Sequence, residues 1–366
     1  AFAPFGWWPL APLTLAVLFR LWSRASPQRA AWLGWCFGAG LYGAGIFWIH
    51  ESFRYSQAAP VLAYLLTALL VAAFALYPAL LGALVQRAAR GRGPSAATLL
   101  GVLPAGWALT EWVRGWLLTG FPWLQAGYSQ VDGPLAGLAP VLGTLGLTWL
   151  LALGAGGLAW AFPVPRRLLA AGALGALVAA TGIALRGVDW TAPAGEPLRA
   201  TLLQGNVPQD VKWQRDRRQE ILDRYAGLTR EHPGSELVVW PETAIPAFQD
   251  QVPDYLDALG AWGARTDTTV LLGLPYRDRD GSYYNSVLAL GAGEGVYHKH
   301  HLVPFGDYVP LADLLGPVLD VMRLPLSRFS AGAADQRPLP AAGRSAGVLI
   351  CYEVLFSEAE IGRAHV

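Results

Sequence analysis

The sequence predicts a two-part protein: a multi-pass α-helical membrane domain followed by a layered α/β domain. Three observations carry this expectation. Hydrophobic residues make up 54% of the 366 and charged residues only 14%, an apolar excess unusual for a soluble chain. The charge is uneven, with long stretches before about residue 190 nearly free of it. After about residue 198, strand-like and helix-like segments alternate, the pattern of packed α/β layers.

Six apolar stretches approach the length of about 20 helical residues that crosses a bilayer. They run over 6–21, 30–50, 58–85, 96–119, 134–162 and 168–185. Arginines mark alternate connections. Arg20, Arg24 and Arg29 flank the first; Arg87, Arg90 and Arg92 fill the third; Arg166 and Arg167 mark the fifth. The second has only Arg54 beside Glu51, and the fourth, "FPWLQAGYSQVDG", has no basic residue. The positive-inside rule then puts the odd connections in the cytoplasm and everything after about Gly187 outside it.

Within the fourth span, "ALTEWVRGWLLTGFPW" places Glu111 and Arg114 three residues apart on one helical face. Ionisable groups at this depth are costly and face a bundle interior or a polar cavity. The spacing is compatible with an ion pair that fixes packing and with contact to a lipid head group. Trp107, Trp112, Trp116 and Trp123 suit an interfacial aromatic belt.

A linker, "DWTAPAGEP", separates the halves. Strands are expected over 198–206, 236–242, 268–275, 283–290 and, last, "AGVLICYE" at 346–353. Helices are expected within 212–232, where Ile221, Leu222, Tyr225 and Leu228 recur at helical spacing, and near 255–265. The domain boundaries are therefore set at 1–190 and 191–360.

The net charge of +1 offers no case for nucleic acid, and two distant cysteines, Cys36 and Cys351, make no disulfide framework. Three residues stand out in the second half. Glu242 follows the "LVVWP" strand where the chain leaves the sheet, a place where sites gather, although an acid there equally caps a turn. Of 27 basic residues only Lys212 and Lys299 are lysine; wherever charge alone suffices this chain uses arginine. Lysine is a compact point charge whose pKa falls on burial, which suits an oxyanion or proton-transfer role. Lys299 lies in the aromatic, proline-rich "VYHKHHLVPFGDYVP". Cys351 is either a small buried hydrophobe or a nucleophile served by a base and a cation from elsewhere. His298, His300 and His301 provide a rival base. Consecutive histidines point in different directions and no second ligand cluster accompanies them, so no metal is expected.

The segments "VVWPETAIP", "YHKHHLVPFGDYVP" and "ICYEVLF" resemble the three catalytic segments of the nitrilase, or carbon–nitrogen hydrolase, superfamily. Together with "EWVRGWLLTGFPW", "LLQGNVPQDVKW" and the multi-span first half, they resemble the apolipoprotein N-acyltransferase family over nearly the whole chain. That resemblance implies an α-β-β-α sandwich, incomplete here, and a catalytic triad of Glu242, Lys299 and Cys351. Trp213, Tyr352, Glu353 and Asp307 are implied as supporting residues. Asp307 departs from the family, which has glutamate in this loop. The resemblance further implies no cofactor, a phospholipid acyl donor, membrane lipid around the spans, and a diacylglyceryl-modified apolipoprotein as acceptor. The place implied is the bacterial inner membrane, with the catalytic domain on its periplasmic side. A membrane-anchored amidase of nitrilase type is the alternative within the same chemistry. A transporter or scaffold whose outer domain only binds is the alternative outside it.

The chain opens without methionine inside apolar sequence, and the family has a further span at each end. "IGRAHV" matches the translation of a common sequencing-adapter stretch. The expectation is a truncation at both ends, with 361–366 a non-native tail. A copy so shortened is also expected to risk losing its fold or its activity.

Overall fold

The computed structural model describes residues 1–2, 4–52, 60–89, 95–162, 164–304, 306–308 and 329–356. Arg54, Arg90, Arg92 and the 361–366 tail lie outside them. The chain divides into two compact units, Ala1–Pro193 and Ala194–Val366.

The first unit is helical: α1 (Leu10–Trp22), α2 (Pro27–Ile46), the single turn α3 (Ile49–Ser52), α4 (Pro60–Phe74), α5 (Leu76–Ala89), α6 (Leu103–Arg114), α7 (Ala139–Ala161) and α8 (Pro165–Leu185). The start of α2 shows why the chain turns there. Ser26 accepts a hydrogen bond from the Arg29 N–H, and Pro27 at the first helical position gives up only a donor that would be unpaired. Small residues then let helices approach closely. A Cβ on Gly34 would lie 2.5 Å from the Pro78 carbonyl oxygen, and one on Gly38 would lie 2.7 Å from Ala75 Cα, so α2 seats on α5 through these two glycines. Phe19, Trp22, Leu99, Leu103, Trp107 and Ala155 form the core between α1, α6 and α7.

Among the described residues, three helical runs are long and apolar enough to cross a membrane: Pro60–Ala89, Ala136–Ala161 and Pro165–Leu185. α1 is apolar but has only 13 residues. The outward surfaces are apolar as well. α8 buries only Gly182, while Leu169, Leu174, Leu177 and Ile183 face outward. A helix apolar on every side belongs in a core or a bilayer.

Two expected spans are shorter than read from the sequence. The fourth begins in a π turn, Thr98–Val102, and stops at Arg114; beyond it Leu118 takes φ 54° and breaks the helix. The fifth opens with 3-10 turns and is interrupted at Gly143, whose φ of 63° is open to glycine without a Cβ penalty.

The second unit is built on a five-stranded sheet ordered β1 (Ala200–Leu202), β2 (Leu237–Val239), β3 (Thr269–Arg277), β4 (Tyr283–Gly291), β5 (Gly295–His298). β1, β2 and β3 are parallel, with Val238 opposite both Thr201 and Val270; β4 and β5 are antiparallel to their neighbours. The period-two alternation of strands sorts the side chains. Val238, Val270, Leu272 and Leu274 face α10 (Arg218–Arg230) and α11 (Pro253–Thr266), meeting Ile221, Leu222, Tyr225, Leu256 and Leu259. A short helix, α9 (Gln209–Lys212), precedes α10. On the opposite face Leu271, Ala289 and Tyr297 meet Leu339 and Ile350. Leu339 belongs to a second, two-stranded sheet, β6 (Leu339–Ala341) with β7 (Arg344–Ala346). The order helix, sheet, second sheet gives three of the four layers of the expected α-β-β-α sandwich.

The expected last strand over 346–353 is not one. β7 ends at Ala346; Ile350 keeps extended backbone, φ −101° and ψ 113°, but its N–H donates to Glu353 Oε2 at 2.8 Å instead of to a strand. Cys351 then takes φ 51° and opens a 3-10 turn, Cys351–Leu355. The apolar run is buried against the sheet, and the cysteine stands at a sharp corner.

Candidate functional site

Four segments of the second unit supply the site. β2 delivers Glu242 at its C-terminal side, on a turn that packs against β3. Gly273 makes this approach possible: a Cβ there would lie 2.6 Å from Thr243 N and 2.8 Å from Glu242 Cα. β5 delivers Lys299, whose N–H donates to the Asn285 carbonyl at 2.8 Å and whose carbonyl accepts from the Gly332 N–H at 2.9 Å. The turn after Ile350 delivers Cys351, and the 303–308 loop delivers Asp307.

These side chains converge. Lys299, 1% exposed, places Nζ 2.7 Å from Asp307 Oδ2 and 3.9 Å from Glu242 Oε1. Asp307 also accepts the Val303 N–H at 2.9 Å, so the shorter acid still reaches the lysine while closing its own loop. Glu242 Oε1 accepts from Asn285 Nδ2 at 2.6 Å, and the Glu242 carboxylate lies near enough to Cys351 for its charge to act on the thiol. Asn285 was not foreseen; a single asparagine inside the "YYNSVLAL" strand gives no local signal beyond being a polar residue at a buried position.

The three histidines take other partners. His298 Nδ1 bonds Ser286 Oγ at 2.7 Å, His300 Nδ1 bonds the Gly332 carbonyl at 2.6 Å, and the His301 ring stacks on Phe356. The charges that act on the cysteine are those of Glu242 and Lys299.

Behind Cys351, Glu353 is fully buried and acts as a hub. Its Oε1 accepts from Tyr297 OH at 2.7 Å and from the backbone N–H groups of His300 at 2.9 Å and His301 at 3.2 Å. With the Ile350 N–H on Oε2, this carboxylate ties the cysteine turn to the segment that carries Lys299. Charge-assisted bonds of this kind are the strong ones, and leaving the donors unpaired is costly. Glu353→Ala is expected to destabilise the domain by about 3 kcal/mol or more, measured as a lowered midpoint in chemical denaturation. Tyr352 is buried beside it, its ring edge-on to Phe356.

Trp213 stands 52% exposed with Lys212 Nζ 5.8 Å from its ring; among the described residues no hydrogen bond or ion pair joins it to Glu242, Lys299 or Cys351. A cavity of about 240 Å³ beside Glu242 is lined by Gln204, Asn206, Lys212 and Tyr225.

In the first unit, Glu111 and Arg114 are both buried but do not pair with each other. Glu111 accepts from Thr148 Oγ1 at 2.7 Å, Trp107 Nε1 at 3.0 Å and the Ala126 N–H at 3.0 Å. Arg114 donates to the carbonyls of Phe121 and Trp123. A spacing of three puts two residues on one face, but here the following loop folds back and offers each a separate set of partners. Trp107 is thus a core residue, while Trp112 and Trp116 are the outward-facing members of the expected belt.

The thiol of Cys351 is pushed above its ordinary pKa, first by burial, then by the Glu242 charge and hydrogen bond, against the pull of Lys299 and the Tyr352 N–H. At neutral pH the resting sulfur is therefore a thiol and requires a base. The sign can be tested directly. Because the Glu242 charge disfavours the thiolate, Glu242→Gln is expected to move the pH profile of Cys351 alkylation by iodoacetamide to lower pH. Lys299→Met is expected to move it to higher pH.

Two family models match the chain: the apolipoprotein N-acyltransferase N-terminal domain over residues 1–157 and carbon–nitrogen hydrolase over residues 199–361. Among curated proteins, the apolipoprotein N-acyltransferase of Methylococcus capsulatus is 48% identical over 362 residues, covering 98% of this chain and 71% of that protein. The protein of the same name from Pseudomonas putida is 43% identical over 372 residues, covering 100% of this chain and 73% of its own length. Among solved structures, a carbon–nitrogen hydrolase from Helicobacter pylori aligns at 18% identity with a TM-score of 0.30, over 40% of this chain and 51% of that one.

Proposed function

The chain belongs to the apolipoprotein N-acyltransferase family, and from that premise we propose that Glu242, Lys299 and Cys351 form the triad of a two-step acyl transfer. In the first step Glu242 takes the Cys351 proton, and the thiolate attacks the ester carbonyl of a phospholipid. Lys299 stabilises the tetrahedral oxyanion; one such donor is worth about 2.7–4 kcal/mol of barrier. The C–O bond breaks, the alkoxide takes the proton from Glu242, and a lysophospholipid leaves behind a thioester on Cys351. In the second step the α-amino group of a diacylglyceryl-cysteine attacks that thioester, Glu242 accepts the amine proton, and the thiol re-forms with an amide as product. Cysteine suits both steps, because its thiolate is strongly nucleophilic and its thioester reactive to amines.

The single observation that carries this reading is the convergence on Cys351 of the Glu242 carboxylate and the buried Lys299 ammonium, which lie 3.9 Å from each other. The membrane half, 1–190, gives it a context: donor and acceptor both carry acyl chains, and moving them into water costs roughly 0.8 kcal/mol per CH₂. The arginine pattern supports a catalytic domain, 191–360, outside the cytoplasm, and family membership supports the bacterial inner membrane, with that side the periplasm.

The deciding experiment presents the full chain in detergent with acyl-labelled phospholipid. A hydroxylamine-labile label on the protein, discharged by a synthetic diacylglyceryl-cysteine peptide to give an N-acyl product, is the expected result. Hydrolysis of simple amides without any labelled protein would replace this reading with the anchored amidase.

A further inference from the structure

Lys212 is the other lysine of this arginine-rich chain, and the triad leaves it without a role. It ends α9, and its Nζ donates to Thr243 Oγ1 at 2.6 Å and to the Glu242 carbonyl at 3.3 Å. Thr243 takes φ 47°. That left-handed conformation is an outlier for a β-branched residue and persists only where surroundings hold it. Gly273 brings β3 up against the inner side of the turn, and the Ile245 N–H donates to the Gly273 carbonyl at 3.2 Å. Lys212 closes the turn from the other side. Burial lowers its pKa while the Glu242 charge opposes that change; the Glu242 group it bonds is the backbone carbonyl.

We propose that Lys212 is a positioning residue of the acyl-transfer reaction: it clamps the strained Glu242–Thr243 turn so that the Glu242 carboxylate meets the Cys351 thiol. The inference rests on the assignment of Glu242 as base, and its test is arranged so that the two can fail separately. Lys212→Met is expected to slow acyl-enzyme formation on the order of 100-fold, the penalty of a misplaced catalytic group, with the KM for phospholipid unchanged. Adding Thr243→Gly is expected to restore most of that rate, because glycine enters the left-handed region without a clamp.

A second readout needs no acyl transfer at all. If the turn drifts, Glu242 leaves the thiol, and the iodoacetamide profile of Cys351 moves to lower pH in Lys212→Met. Mere loss of a nearby cation would move it to higher pH. A wild-type rate in Lys212→Met, a shift to higher pH, or no rescue by Thr243→Gly each overturns the proposal. Should Lys212→Met not accumulate as folded protein, Thr243→Val decides: it removes the acceptor and keeps the lysine. A slowed rate and the same downward shift sustain the clamp, and wild-type behaviour ends it. A wild-type chain that forms no labile acyl adduct removes the acyl-transfer reading, while the alkylation profiles still decide whether Lys212 positions Glu242.

Discussion

Cys351→Ser is expected to abolish the hydroxylamine-labile acyl adduct and to lower turnover by on the order of 10⁴-fold or more, as removal of a covalent nucleophile does. The substitution changes one atom at a corner whose geometry is set by backbone and by Glu353, so the fold should be little disturbed. What changes is the chemistry. A serine hydroxyl beside the Glu242 carboxylate is far harder to deprotonate than a thiol. Any oxyester that formed would also survive the neutral hydroxylamine that cleaves a thioester. The control is Cys36→Ala, since Cys36 is the only other cysteine and lies in the first unit. Label persisting at wild-type level in Cys351→Ser but lost in Cys36→Ala would move the nucleophile out of the catalytic domain altogether.

Much of the candidate site is legible in the sequence alone. Apolar periodicity placed α10, and short strand-like apolar runs placed β2, β3 and β4, because burial imposes a local pattern on each. The lysine-for-arginine choice at Lys299 pointed to a site, and the structure places that lysine between two carboxylates. The failures share a different physics. The 347–350 run has a strand's composition, yet its last N–H is taken by a side chain three residues on, and nothing in the run announces this. Asn285 bonds a residue 43 positions away and Lys212 bonds residues 30 and 31 positions away, contacts that leave no periodicity. Glu111 and Arg114 show the same limit: helical spacing gave their common face, but the partners come from a loop and from α7.

Lys299→Met is expected to be the second most damaging change, and for two reasons that can be separated. The first is electrostatic stability. Lys299 is buried between Asp307 and Glu242, and removing one partner of a buried ionic group leaves uncompensated charge, at a cost of about 3–5 kcal/mol. The second is catalytic, since loss of the oxyanion donor costs about 10²–10³-fold in rate. Arginine is no substitute, because a planar fork does not occupy the space of a compact ammonium. The double variant Lys299→Met with Asp307→Asn separates the two effects. Neutralising the orphaned acid is expected to raise the unfolding midpoint back toward wild type while acyl-enzyme formation stays slow. Recovery of rate together with stability would make Lys299 a structural counter-ion only. The oxyanion would then have to be held by backbone, with the Tyr352 N–H at the Cys351 turn as a donor.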